Sequence, residues 1–134
     1  YLDAKYDRYM SGGADLSDRK LRQVPRWFVN LGANVTVPLA DALRMRLRVD
    51  GSYKAKTYLD VENTPELLQP HYVIWNAGVT FTGLRDGLEF SVQANNIGNK
   101  RVLTSGVDLR SSFGILEGYY NQPRTIFATV RYRY

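Results

Sequence analysis

In six stretches of this sequence apolar and polar residues alternate one by one, and the connections between the stretches alternate as well, long then short. A period of two sends successive side chains to opposite faces of a strand, so each stretch reads as an amphipathic β-strand. The last is the most regular. In Thr125 to Tyr134, Ile126, Ala128, Val130, Tyr132 and Tyr134 share one face, and Thr125, Phe127, Thr129, Arg131 and Arg133 share the other. Ten residues tilted by about 45° span roughly 25 Å, the height of the apolar band of an outer-membrane barrel.

The five earlier strands follow the same rule. Tyr1 to Tyr9 sets Leu2, Ala4 and Tyr6 against Asp3, Lys5 and Asp7. Trp27 to Val37 places Trp27, Val29, Leu31, Ala33, Val35 and Val37 opposite Asn30, Gly32, Asn34 and Thr36, with one large residue, Phe28, on the polar side. Leu43 to Tyr53 opposes Leu43, Met45, Leu47, Val49, Gly51 and Tyr53 to Arg44, Arg46, Arg48, Asp50 and Ser52. Tyr72 to Phe81 sets Val73, Trp75, Ala77, Val79 and Phe81 against Tyr72, Ile74, Asn76, Gly78 and Thr80. Leu88 to Asn95 sets Leu88, Phe90, Val92 and Ala94 against Glu89, Ser91, Gln93 and Asn95. Between them, Met10–Arg26, Lys54–His71 and Asn96–Arg124 read as long loops, and Pro38–Ala42 and Thr82–Gly87 as short turns.

Long and short connections on opposite sides are what an up-and-down barrel in the outer membrane requires, with short turns in the periplasm and long loops outside. Turning Arg44, Arg46 and Arg48 toward lipid would cost up to about 2–4 kcal/mol each near the midplane, so the apolar faces are expected to meet lipid and the polar faces a hydrated interior. Trp27, Tyr53 and Tyr72 then fall at the outer interface, and Phe81, Tyr132 and Tyr134 at the inner one. Period two alone fits a soluble barrel equally, with the apolar set turned inward. Composition narrows the field. No apolar run approaches the 18 or so residues of a membrane helix, but strands that alternate do not need one. Without cysteine there is neither a disulfide nor a thiolate site. Six strands do not close a membrane barrel, whose smallest form has about eight. The expected fold is therefore all-β: an antiparallel up-and-down meander of about six strands, forming the C-terminal part of a larger transmembrane barrel. Tyr1 opens within a strand-like pattern with no signal peptide before it, so a processed chain or a piece of a longer one is expected.

Four motifs, in order, resemble the C-terminal barrel of TonB-dependent outer-membrane receptors. SYKAKTYLDVENTPELLQPHY, ending at Tyr72, is similar to the family's strand-top tyrosine, aromatic-Asp pair, Asn-Thr-Pro and Gln. WNAGVTF carries its Asn-Ala step at Asn76 and Ala77, and SVQANNIGNKRV its asparagine-led motif at Asn96, Ile97, Asn99 and Lys100. QPRTIFATVRYRY resembles its Pro123, Arg124, Thr125 opening and terminal aromatic. Two departures stand out: Tyr134 where the family usually has Phe, and Asn-Ile-Gly-Asn for the commoner Asn-Leu-Phe-Asp. The resemblance implies energised uptake of a scarce nutrient such as a ferric siderophore, cobalamin or an oligosaccharide, across the outer membrane of a Gram-negative bacterium. It implies as partners an N-terminal plug domain and the remaining barrel strands, the TonB complex through an N-terminal region this chain lacks, outer-membrane lipid and lipopolysaccharide, and the assembly machinery that reads Tyr134.

Candidate ligand residues are the lumen-facing Arg44, Arg46, Arg48, Asp50 and Glu89. The arginine row suits anionic ligands such as ferric chelates, and carboxylates on a plug or on neighbouring strands are its more ordinary partners. Lone His71 reads as a solvated loop residue, and Asp60, Glu62 and Glu66 lack a calcium-loop spacing, so neither metal nor cofactor is expected. Arg26, Lys54, Lys56 and Arg124 lie near outer strand ends, where lipid phosphates or plain solvation would suit them. No nucleophile, acid/base pair or phosphate cradle is present, which argues against an enzyme. The rival readings are a passive porin or channel, which would lack a plug, and a soluble small-ligand barrel, which the long loops disfavour. Ten tyrosines and a net charge of +5 also raise nucleic acid, but Tyr53, Tyr132 and Tyr134 fall on the apolar face, where they do not serve it.

Overall fold

The computed structural model describes all residues, 1–134. In chain order the strands are β1 (Met10–Ser11), β2 (Ala14–Asp15), β3 (Phe28–Pro38), β4 (Arg44–Lys54), β5 (Thr57–Tyr58), β6 (Leu68–Gln69), β7 (Tyr72–Thr82), β8 (Leu88–Asn95), β9 (Leu103–Leu109), β10 (Ile115–Tyr120) and β11 (Thr125–Tyr132). A 3-10 turn, Pro65–Leu67, precedes β6, and a four-residue helix α1, Arg110–Phe113, joins β9 to β10.

The five long strands form one sheet in the order β11-β8-β7-β4-β3, so each neighbours the long strands before and after it. Their bounds lie within two residues of those expected from alternation, and the class is the antiparallel meander anticipated. Register keeps like with like. Ala77, Ala94 and Ile126 form one row across β7, β8 and β11, and Val79, Val92 and Ala128 form the next. Phe81, Phe90 and Val130 follow, with Tyr132 opposite Leu88 at the end. The rows between carry Gly78, Gln93 and Phe127, then Thr80, Ser91 and Thr129, then Thr82, Glu89 and Arg131.

Two corrections to the sequence reading concern segments outside this sheet. Tyr1–Tyr9 forms no strand. Alternation sets which side chains share a face, but a strand also needs a ladder; within this stretch only Leu2 N–H reaches a distant carbonyl, Arg26 O, at 2.9 Å, and Tyr6 stacks on Tyr9 with centroids 4.8 Å apart. Asn96–Arg124 is not a bare loop, because β9 and β10 pair within it as a hairpin, and the other two long connections also carry short ladders, β1–β2 within Met10–Arg26 and β5–β6 within Lys54–His71.

The chain divides into two compact units. The first comprises Tyr1–Val29, Tyr53–Tyr72 and Arg101–Asn121, and it holds every buried apolar residue: Leu16, Leu59, Leu67 and Val102. Its hairpin is seated on Leu67. A Cβ at Gly106 would come 2.5 Å from Leu67 Cδ2, so the side chain occupies the space that glycine leaves open on β9. Gln69 Oε1 accepts Leu103 N–H at 2.6 Å, and Asn121 Oδ1 accepts Val102 N–H at 2.8 Å. At the tip Arg110 bridges Glu66 and Asp108, each at 2.7 Å, and holds both carboxyls below their ordinary range, Asp108 at about 2.

The second unit comprises Asn30–Ser52, Val73–Lys100 and Gln122–Tyr134 and has no buried apolar core. Leu31, Ile126 and Val130 are each about two thirds exposed, at 69%, 67% and 66%. Side chains of this kind contribute roughly 1.5–3 kcal/mol each when fully covered, so the face they share calls for an apolar cover outside the chain. Its turns are tight: Gly83 and Gly87 sit at φ +83° and +74°, where an added Cβ would run into the Ala42 and Arg133 carbonyls.

Candidate functional site: the polar face of the sheet

On β4 the alternation that turns Leu47 and Val49 one way turns Arg44, Arg46, Arg48 and Asp50 the other, about 6.8 Å apart from one to the next. Arg48, Asp50 and Asn76 form a chain of side-chain hydrogen bonds. Arg48 Nε donates to Asp50 Oδ1 at 3.0 Å, and Asn76 Nδ2, on β7, donates to Asp50 Oδ2 at 2.7 Å. The chain continues at the end of β8, where Asn76 Oδ1 accepts Asn96 N–H at 3.0 Å. Arg44 and Arg46 form no ion pair, so the carboxylates anticipated for them on neighbouring strands are not there. Glu89 lies opposite Arg131 in the β8–β11 ladder and pairs with it at 3.5 Å. The five candidate lumen residues thus separate into an Arg48–Asp50 pair, a Glu89–Arg131 pair and two free guanidiniums.

A trough of about 290 Å³ runs along this face. Gly78 lies at its floor, Arg46, Arg48 and Asp50 line one side, and Gln93 and Asn95 line the other. Its chemistry is that of guanidinium, carboxylate, amide and hydroxyl groups, with Asp50 taken up by Arg48 and Asn76, and with Arg46 unpaired, which suits a polar solute or polar polypeptide carrying negative charge. Gln93 and Asn95 were not singled out in the sequence, and Asn76 was named only for its motif, although the polar period on β7 and β8 places all three on this face.

Asn96, Arg124 and Thr125 have a structural explanation; Pro123 only precedes the last two in the chain. Asn96 is buried with φ +49°. Its Nδ2 donates to the carbonyls of Lys100 at 3.0 Å and Gln122 at 3.1 Å, and its Oδ1 accepts Lys100 N–H at 2.8 Å. Arg124 N–H then donates to Asn99 Oδ1 at 2.9 Å, and Thr125 opens β11 opposite Asn95. The asparagine motif therefore fixes where the final strand begins.

The predicted interface aromatics fall at strand ends. Trp27 is exposed and packs on Tyr1 with ring centroids 4.9 Å apart. Tyr53 lies near the end of β4, its ring 6.3 Å from that of His71, and Tyr72 opens β7 half-buried. Phe81 faces Phe90, while Tyr132 and Tyr134 are exposed. Of the three loop carboxylates weighed for calcium, Asp60 accepts from the Thr64 amide and hydroxyl and Glu66 from Arg110, while Glu62 is exposed.

The sequence matches no protein-family model, and no curated protein is similar to it. Solved structures that are similar in fold include two receptors. BauA, the ferric preacinetobactin receptor from Acinetobacter baumannii, aligns with a TM-score of 0.64 at 21% identity over 85% of this chain and 16% of its own. The siderophore receptor PiuA from the same organism aligns with a TM-score of 0.66 at 21% identity over 95% of this chain and 17% of its own. The chain thus spans about a sixth of the length of the receptors it matches. The fold implied by the sequence resemblance, a stretch of a TonB-dependent receptor barrel, is the fold this chain has.

Proposed function

We propose that this chain forms the C-terminal part of the wall of a plugged barrel in the outer membrane of a Gram-negative bacterium. The barrel takes up a scarce nutrient, such as a ferric siderophore, cobalamin or an oligosaccharide, by energised transport. One observation carries the reading: a five-stranded meander with one exposed apolar face and one arginine- and amide-lined face, in a fold shared with two siderophore receptors. Lipid covers the first face, and a plug domain covers the second. Lipopolysaccharide lies around the outer strand ends, and Tyr134 is presented to the assembly machinery. Energy coupling comes from a TonB complex acting on a plug outside this chain. The protein is a transporter and not an enzyme.

The test is to delete the gene for the intact protein carrying this chain, follow the protein by membrane fractionation, and measure uptake of the three solute classes with and without a protonophore. Loss of protonophore-sensitive uptake of one class, with the protein in the outer membrane, is the expected result. Protonophore-insensitive diffusion of many small solutes would make it a passive channel. Recovery of the protein in the soluble fraction would make it a small-ligand carrier.

A further inference from the structure

Phe28 is out of keeping with its face. The alternation of β3 puts it with Asn30, Gly32, Asn34 and Thr36 rather than with the apolar set, and it is 56% exposed. It forms one wall of a hollow of about 370 Å³, lined also by Tyr1, Leu2, Pro25, Arg26 and Lys54. That volume falls within the roughly 300–1,000 Å³ of small-molecule sites. Backbone hydrogen bonds brace the walls: Leu2 N–H donates to Arg26 O and Ala55 N–H to Trp27 O, both at 2.9 Å.

The lining combines two kinds of chemistry. Phe28 and Tyr1 supply aromatic rings and Leu2 and Pro25 aliphatic surface, so most of the wall offers no hydrogen bond to a sugar or another polyhydroxylated solute. The polar contribution is cationic. Arg26 gives one guanidinium nitrogen to Asp3 at 3.3 Å and keeps its remaining donors, while Lys54 has no carboxylate partner. An apolar, ring-lined hollow bearing an uncompensated ammonium is complementary to a flat ring carrying negative charge.

We propose that this hollow is a subsite for an anionic aromatic group, such as an aryl carboxylate, and that it selects ring-bearing anions among the solutes taken up. The proposal deepens the transport reading and rests on it for its physiological meaning, but binding itself is measurable without transport. Benzoate carries an aromatic ring and charge, cyclohexanecarboxylate the same charge on a saturated, puckered ring, and benzyl alcohol an aromatic ring without charge. Their binding to the intact protein in detergent is measured by ligand-observed NMR.

Benzoate is expected to bind at least about fivefold more tightly than either control. Phe28→Ala should weaken benzoate about fivefold and leave cyclohexanecarboxylate within about twofold. Lys54→Gln should weaken both acids about fivefold and leave benzyl alcohol unchanged. Both positions are at the surface, and heat-modifiable gel mobility establishes that each variant is folded. Benzoate binding no tighter than both controls, or unmoved by both variants, overturns the proposal even if energised uptake is found. The expected binding pattern in a protein that transports nothing upholds the subsite and overturns the transport reading instead.

Discussion

Replacing Gly106 with alanine sets a methyl group into space that Leu67 already fills. The new carbon would stand 2.5 Å from Leu67 Cδ2 and 2.9 Å from the Glu117 carbonyl oxygen, so either the leucine or the β9–β10 ladder must shift. Overpacking of this kind costs about 1–3 kcal/mol. Leu67 is 2% exposed. Truncating it to alanine removes three carbons and leaves a cavity, together costing about 3–4 kcal/mol. If the two side chains compete for one space, the losses do not add. With Leu67→Ala in place, the methyl at residue 106 occupies part of the cavity, and the double variant should lose about 3 kcal/mol, some 1–4 kcal/mol less than the sum. The residual approach to Glu117 O keeps the rescue incomplete. The assay is amide hydrogen exchange in the intact protein in detergent, read as the local opening free energy of Leu103–Tyr120. Losses that add to within about 0.5 kcal/mol would refute the shared notch.

Three further outcomes are expected. Asn96→Ala removes both donors to the Lys100 and Gln122 carbonyls and the acceptor for Lys100 N–H, and should cost about 2–4 kcal/mol, seen as a lower midpoint for urea unfolding of the barrel. Gly51→Val would drive a side chain into the Trp75 ring, which lies over Gly51, at a cost of about 1–3 kcal/mol; it should reduce the heat-modifiable folded fraction, and Trp75→Ala should restore part of it. The hairpin catch should be acid-resistant. Because Asp108 titrates at about 2 when folded against an ordinary value of 3.8, and Glu66 is lowered too from an ordinary value of 4.5, their contribution is complete above about pH 5 and is lost as pH falls toward 2. Protease resistance of β9–β10 should follow that curve, and Arg110→Gln should weaken its pH dependence, leaving the part that the residue-110 N–H maintains on Asp108.

The long strands were legible because a sheet with one apolar face and one polar face permits no drift from period two. Leu88–Asn95 was bounded to the residue, and β3, β4, β7 and β11 to within two. The same signal misled at Tyr1–Tyr9, where the pattern is present and the ladder is not. The β9–β10 hairpin was hidden for the opposite reason. Gly106 and Gly118, which read as loop residues, stand directly across from each other in its ladder. Of the polar face, the arginine row was visible from its spacing. Its pairing was not, since the carboxylate that engages Arg48 lies two residues away on the same strand and owes its orientation to Asn76 on the next.

Side-chain amides do the joining in both units. Asn63 exchanges two hydrogen bonds with the backbone of Lys20, Gln69 holds Leu103, and Asn121 holds Val102. Asn96 ties Lys100 to Gln122, and Asn99 receives Arg124. Joints of this kind carry no net charge, so the ionic strength around them matters little. They also fix single points rather than whole ladders. Loop segments can therefore gain or lose residues without undoing the joints, which leaves the exposed contour free to diversify while the strands below keep their register.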